Sequence, residues 1–272
     1  MSLRNVRLLA SATFVEVVRH RALWAILVLA VLLTMGNIVF TTLFSWDLGK
    51  VSIEFGLSAI SFSGLLLIFF LGMKIMADDL ERSRIYMILS RPVSIGEYIW
   101  GKYLGLALVL LASGLILGVS AAFSMGYVLA QYPAFVPPDF SWQIYVMALG
   151  CQWLGLLLVL ALAFFWFSLS SSSFVALIFS VLSYMVAVNL DTFRYVIEKN
   201  SEAGLLAGQE WLVKTVSWLL PNLSLFNRKH EASYGLPFPM DEFALVCCYG
   251  LSYIVLLLFF ATLLYKRKEL AS

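Results

Sequence analysis

Gly96, Gly101 and Lys102, in the stretch GEYIWGKY, stand at the spacing of a phosphate-binding loop, so nucleotide binding is the first chemistry to test. Such a loop needs Ser or Thr after its lysine to hold magnesium, and Tyr103 stands there. It also needs backbone N–H groups converging on phosphate, which the bulky Glu97, Tyr98, Ile99 and Trp100 obstruct and the charge of Glu97 opposes. Nucleotide binding by this stretch is rejected, and no cofactor is expected in this chain. Other catalytic arrangements are missing too. His20 and His230 are the only histidines, so an HExxH zinc site cannot be built, and no GxSxG elbow occurs. Cys151, Cys247 and Cys248 sit in apolar surroundings without metal or redox spacing and read as packing residues. The chain is therefore not expected to be an enzyme.

The elements that would position these residues are set by composition. Of the 272 residues 62% are hydrophobic and 12% charged, against about a quarter charged in ordinary soluble domains, and mean hydropathy is +0.92. The net charge of +2 gives no reason to expect nucleic acid. Several charge-free runs exceed the roughly 20 residues a helix needs to cross about 30 Å of hydrocarbon. The expected fold is an all-α integral membrane protein with six transmembrane helices, over residues 22–45, 53–75, 102–128, 142–167, 173–191 and 243–265. Helices rather than barrel strands follow from the lack of polar–apolar alternation. The first run is too long for the apolar region of a cleavable signal peptide.

Basic residues cluster in three places: Arg4, Arg7, Arg19 and Arg21; Lys74, Arg82, Arg84, Arg91 and Lys102; and Lys266, Arg267 and Lys268. With six spans all three lie on one side, which places both termini in the cytoplasm. Residues 1–21 are expected to form an N-terminal interfacial helix, with Val6, Ala10, Phe14 and Val17 along one face. Residues 22–265 form the six-helix domain, with a cytoplasmic segment at 76–101 and an extracytoplasmic segment at 192–242; residues 266–272 form a cytoplasmic tail. Within 192–242, Glu210 and Lys214 one turn apart, with Trp211 and Trp218, predict an amphipathic surface helix ended by Pro221. The third span carries small residues at every fourth position, Gly114, Gly118, Ala122 and Gly126. That stripe admits a close helix neighbour, in this chain or in a second copy. The intramembrane polar residues, among them Asn37, Ser61, Ser63, Gln152 and Asn189, form no charge ladder of the kind an ion-coupled transporter keeps at mid-membrane.

The segment between spans two and three is richer than a connection requires. Asp78, Asp79, Glu81, Arg82 and Arg84 alternate in sign, then Ile85, Met87, Ile88 and Leu89 supply an apolar patch before Ser90, Arg91 and Pro92. A patch of this kind flanked by charges predicts a docking surface for another protein. The run Asp79 to Gly105, above all ILSRPVSIGEYIWGKYLG, resembles the cytoplasmic segment of exporter-type (type 2) ABC transporter permeases. The six-span layout, LLPNLSLFN at 219–227 and the basic YKRKEL tail are similar as well. The pattern looks most like the branch called multicopper-enzyme maturation permeases. One departure is that Ser83 and Arg84 stand where many members have Gly-Thr.

The resemblance implies a multi-pass permease subunit in a bacterial or archaeal inner membrane. It would pair with a second permease chain and two copies of a cytoplasmic ABC ATPase subunit, which would hold ATP and Mg. It implies a coupling helix within Asp79–Pro92, with Asp79, Glu81, Arg82, Arg84, Leu89, Arg91 and Pro92 as coupling residues, and it places Lys102 at the inner membrane surface, where its cation would meet lipid headgroup phosphates. Two rivals stand beside it: a membrane scaffold or sensor that docks a partner without moving substrate, and an intramembrane enzyme built around Asp191.

Overall fold

The computed structural model describes residues 2–43, 47–81, 93–137, 139–201, 211, 215 and 220–271. Most of those residues are helical, with no strand among them. An N-terminal helix, α1 (Leu3–Val18), turns at His20 into α2 (Arg21–Thr42), the first span. His20 leaves the helical region and its Nδ1 accepts the Ala22 N–H at 3.3 Å, so this histidine serves as a helix cap. The second span is α3 (Leu48–Leu66), a six-residue π-helical stretch (Leu67–Gly72) and α4 (Met73–Glu81). The third is α5 (Ile95–Gln131), 37 residues without a break, about 55 Å at roughly 1.5 Å per residue. The fourth is α6 (Trp142–Leu169). The fifth is α7 (Ser173–Val188), followed across a 55° bend by α8 (Leu190–Ser201). A short α9 (Lys229–Tyr234) precedes the sixth, α10 (Met240–Ala271). The described prolines, Pro133, Pro137, Pro221, Pro237 and Pro239, fall between the long helices, which leaves those free to run for many turns.

Five helices are long and apolar enough to cross a membrane, six if the bent α7–α8 pair is one span, and all six expected positions are occupied. The multi-pass membrane character is also written on the surface. Trp24, Val28, Leu32 and Val39 of α2 and Leu245, Leu251, Val255 and Phe259 of α10 are exposed, an outer coat that water would not tolerate over so large a continuous area. In the most apolar window of α6, 72% of residues are buried, against 28% in α2 and in α10. Thus α6 is the axis of the bundle and α2 and α10 lie at its periphery.

Polar side chains inside the bundle join helices. Asn37, fully buried on α2, donates to the Ser52 carbonyl at 3.0 Å and to Ser52 Oγ at 2.9 Å, and its Oδ1 accepts from Thr41 at 3.0 Å. Gln152 on α6 donates to the Leu57 carbonyl at 2.7 Å. These bonds give the interior one register where apolar contacts alone would allow sliding.

The bend at Asn189 frees carbonyls that a continuous helix would satisfy, and the segment after Pro221 supplies donors. The Leu223 N–H donates to the Ala187 carbonyl at 3.1 Å. The Asp191 carboxylate accepts from Asn222 Nδ2 at 2.7 Å and from the Ser224 hydroxyl. The Asn222 N–H donates to Tyr249 Oη at 2.8 Å, tying the same turn to α10. Broken helices are tolerated in membranes where the freed backbone groups find such partners. The surface helix expected around Glu210, Lys214 and Trp218 lies outside the described residues; Trp211 is exposed.

Candidate functional site

The stretch from Ser94 to Gly105, which fails as a phosphate loop, is built as a joint. Ser94 caps α5: its hydroxyl accepts the Glu97 N–H at 3.3 Å while the Glu97 carboxylate accepts the Ser94 N–H at 3.1 Å, a reciprocal capping box. The same carboxylate accepts from Asn5 Nδ2 at 3.0 Å and from the backbone N–H of Ser2, so the start of α5 is fastened to the start of α1.

One turn on, Gly101 and Gly105 form a notch. A Cβ at Gly101 would lie 2.5 Å from Leu9 Cβ; one at Gly105 would lie 2.6 Å from Thr13 Cβ and 2.7 Å from the Ala10 carbonyl oxygen. α1 therefore crosses α5 at a distance only glycine allows, through the small-xxx-small spacing of GKYLG. The buried face of α1 is Val6, Ala10, Thr13 and Val17. Thr13 takes the place expected for Phe14, which is half-buried, because the crossing at Gly105 needs a small side chain.

Lys102 lies between the two glycines. It does not face lipid headgroups: it is 5% exposed, and its Nζ sits 2.7 Å from Asp79 Oδ2 and 3.2 Å from Glu16 Oε2. Asp79, at 2% exposure, also accepts the Tyr98 hydroxyl at 2.8 Å. One ammonium thus joins α4, α5 and α1, with Glu16 the solvated member at 39% side-chain exposure. Bonds in which both partners are charged are shorter and stronger than neutral ones, and a buried lysine without them would be costly. Tyr103, which occupies the position a phosphate loop reserves for Ser or Thr, donates to the Leu157 carbonyl of α6 at 3.2 Å and stands edge-on to Phe164. Lys102 and Tyr103 together connect three elements to the bundle axis.

Among the residues proposed for coupling, Asp79 is in this buried cluster and Glu81 ends α4. Arg82, Arg84, Leu89, Arg91 and Pro92 lie outside the described residues. The stripe on α5 faces the chain's own α6. A Cβ at Gly114 would be 3.2 Å from Trp153 Cδ1, one at Gly118 would be 2.9 Å from Leu149 Cδ2, and Ala122 packs in the same cluster as Leu149. The partner for which that stripe is cut is span four.

Glu16 and Gly105 are members of this joint that the sequence reading does not single out, while Tyr98 and Gly101 enter it only as parts of the rejected phosphate loop. The signal for the notch was present in GKYLG, masked by its likeness to a nucleotide loop. Among the described residues no group of three or more His, Cys, Asp or Glu could hold a metal ion.

No protein-family model matches the chain, and no curated protein does.

Proposed function

We propose that the chain is the membrane-spanning permease subunit of an ABC-type transporter, with the segment between α4 and α5 receiving motion from a separate cytoplasmic ATPase. Two such chains would flank the transport path and two ATPase subunits would sit beneath them. Export is the direction that the resemblance implies. Both termini are on the cytoplasmic side in this reading.

The observation that carries the proposal is the Lys102 cluster. The segment 82–92, whose end opens the stretch 88–105 that carries most of the resemblance, leaves from α4 one turn after Asp79 and returns to α5 shortly before Lys102. An ion pair between those two roots makes them move together, and the glycine notch adds α1 to the same body. A displacement of the segment would then reach α5, a rod with no break in which to dissipate it. On this reading Asp79 does not touch the ATPase. It transmits, while Arg84, Leu89 and Arg91 make the contact.

The test uses the full chain co-expressed with ABC ATPase subunits from the same genome and reconstituted in nanodiscs. An ATPase that copurifies should hydrolyse ATP at a rate that Arg91→Glu and Leu89→Asp lower severalfold. Lys102→Met should leave the ATPase bound but its hydrolysis insensitive to the permease. Binding with hydrolysis indifferent to all three changes would make the chain a membrane scaffold, and failure of every ATPase to bind would end the proposal.

A further inference from the structure

Away from the Lys102 cluster, a cavity of about 160 Å³ opens between the second, fourth and fifth spans and the turn that follows Pro221. Its polar lining carries donors at Ser61, Tyr184, Gln152 and Lys229, beside Ser224 and Asn227. Ser61 and Tyr184 each present a hydroxyl that makes no hydrogen bond among the described residues. Gln152 is only 7% exposed and gives one amide N–H to the Leu57 carbonyl, which leaves a second N–H unused. Lys229, at the start of α9, lines the cavity with an ammonium that forms no ion pair among the described residues. Burial pushes that ammonium below its ordinary pKa, with Glu54 acting more weakly in the opposite sense. Among the described residues no carboxylate lines the cavity.

Four unused donors, one of them cationic, around a space without acceptor charge describe a receptor for an anion. The remaining wall is hydrocarbon, chiefly Leu65, Leu156 and Val159, so a bare hydrated anion would leave most of the surface unmatched. The volume is close to that of a cavity that holds one benzene ring, about 150 Å³, so it takes a head and a few methylenes and no more. Val188, exposed on α7, contributes to the rim, which leaves room for a chain to continue along the outside of the bundle.

We infer that this cavity binds the anionic head and first methylenes of a single-chain amphiphile, with Lys229 and Gln152 holding the head. The inference rests on the cavity alone and is read in the isolated chain, so it stands or falls separately from the transport proposal.

The experiment uses the full chain in phosphatidylcholine nanodiscs and measures saturable binding of radiolabelled laurate, with dodecyl phosphate, dodecanol, acetate and inorganic phosphate as competitors. Laurate should bind and dodecyl phosphate should displace it, which identifies the anion-plus-chain class. Dodecanol should compete about tenfold more weakly or worse, the loss of one charge-assisted contact, and acetate and inorganic phosphate should not compete at the same concentrations. Lys229→Gln should weaken laurate by about tenfold while leaving dodecanol unchanged, Lys229→Arg should restore it, and Ser61→Phe should abolish it by filling the space. Thermal midpoints of the variants, taken in parallel, show that each is folded. Equal binding of laurate and dodecanol, competition by phosphate alone, or laurate binding unmoved by Lys229→Gln and Ser61→Phe in folded protein would each overturn the inference.

Discussion

At the scale of single residues, the buried ammonium of Lys102 makes the sharpest claim. Lys102→Met leaves Asp79 buried with, among the described residues, a tyrosine hydroxyl as its remaining partner and should cost about 3–5 kcal/mol, seen as a lowered melting midpoint in detergent. Adding Asp79→Asn removes the stranded charge, and the double variant should recover most of the loss. If the double variant is as unstable as the single one, the pair is not what holds α4 to α5. The glycines give a second comparison. Gly105→Ala must push against Thr13 and the Ala10 carbonyl and should destabilise by about 1–3 kcal/mol, whereas Gly36, with nothing near its missing Cβ, should accept Ala with a gain of up to about 1 kcal/mol. The same measurement reads both. Little of this was legible in advance. Lys102 was read as a headgroup contact because its partners are on other elements, and a pairing across three helices leaves no periodicity in any one of them. Tyr103 in place of a magnesium-holding Ser or Thr, and the bulky run from Glu97 to Trp100, were enough to exclude nucleotide binding, because that exclusion needs only local chemistry.

At the scale of elements, the break in the fifth span is the feature that most needs its supporting cast. Asn222 donates to Asp191, while its Oδ1 accepts from the N–H and hydroxyl of Ser224. Replacing it with Ala leaves buried groups without partners, at a cost of about 1–3 kcal/mol. Amide exchange in residues 187–193 should then quicken while exchange in α6 stays slow; uniform change across the bundle would mean that the turn does not act locally. The sequence placed a span at 173–191 without its bend. Apolar residues continue through the break, and nothing local to Asn189 says that a turn more than thirty residues later will satisfy Ala187. The π-helical stretch in the second span is invisible for a related reason, since LIFFLG is as good an α-helix as its neighbours by composition. The stripe on α5 was legible as a helix contact but not as a contact with α6, because small residues specify closeness and not identity.

At the scale of the whole molecule, the orientation proposed for the bundle is directly testable. A fluorescent protein fused after Ser272 should fold and fluoresce on the cytoplasmic side, and alkaline phosphatase inserted after Val136 should be active because it has been exported. The reverse pair of results would put the Lys102 cluster outside and remove the basis for coupling. Six spans were legible because long charge-free runs have no other home. Which span is central was not, since in α6 and α10 alike every face is apolar, and lipid and protein interior ask the same of a side chain. The two spans that depart from regular α geometry, α3–α4 at Leu67–Gly72 and α7–α8 at Asn189, are also the two that flank the cavity, with Ser61 and Leu65 just before one departure and Tyr184 and Val188 just before the other. The opposite wall, α6, is a single α-helix without a break from Trp142 to Leu169. The chamber is therefore shaped like a jaw with a fixed side: its width can change by rotation where the backbone is already irregular, without breaking a helix that is whole.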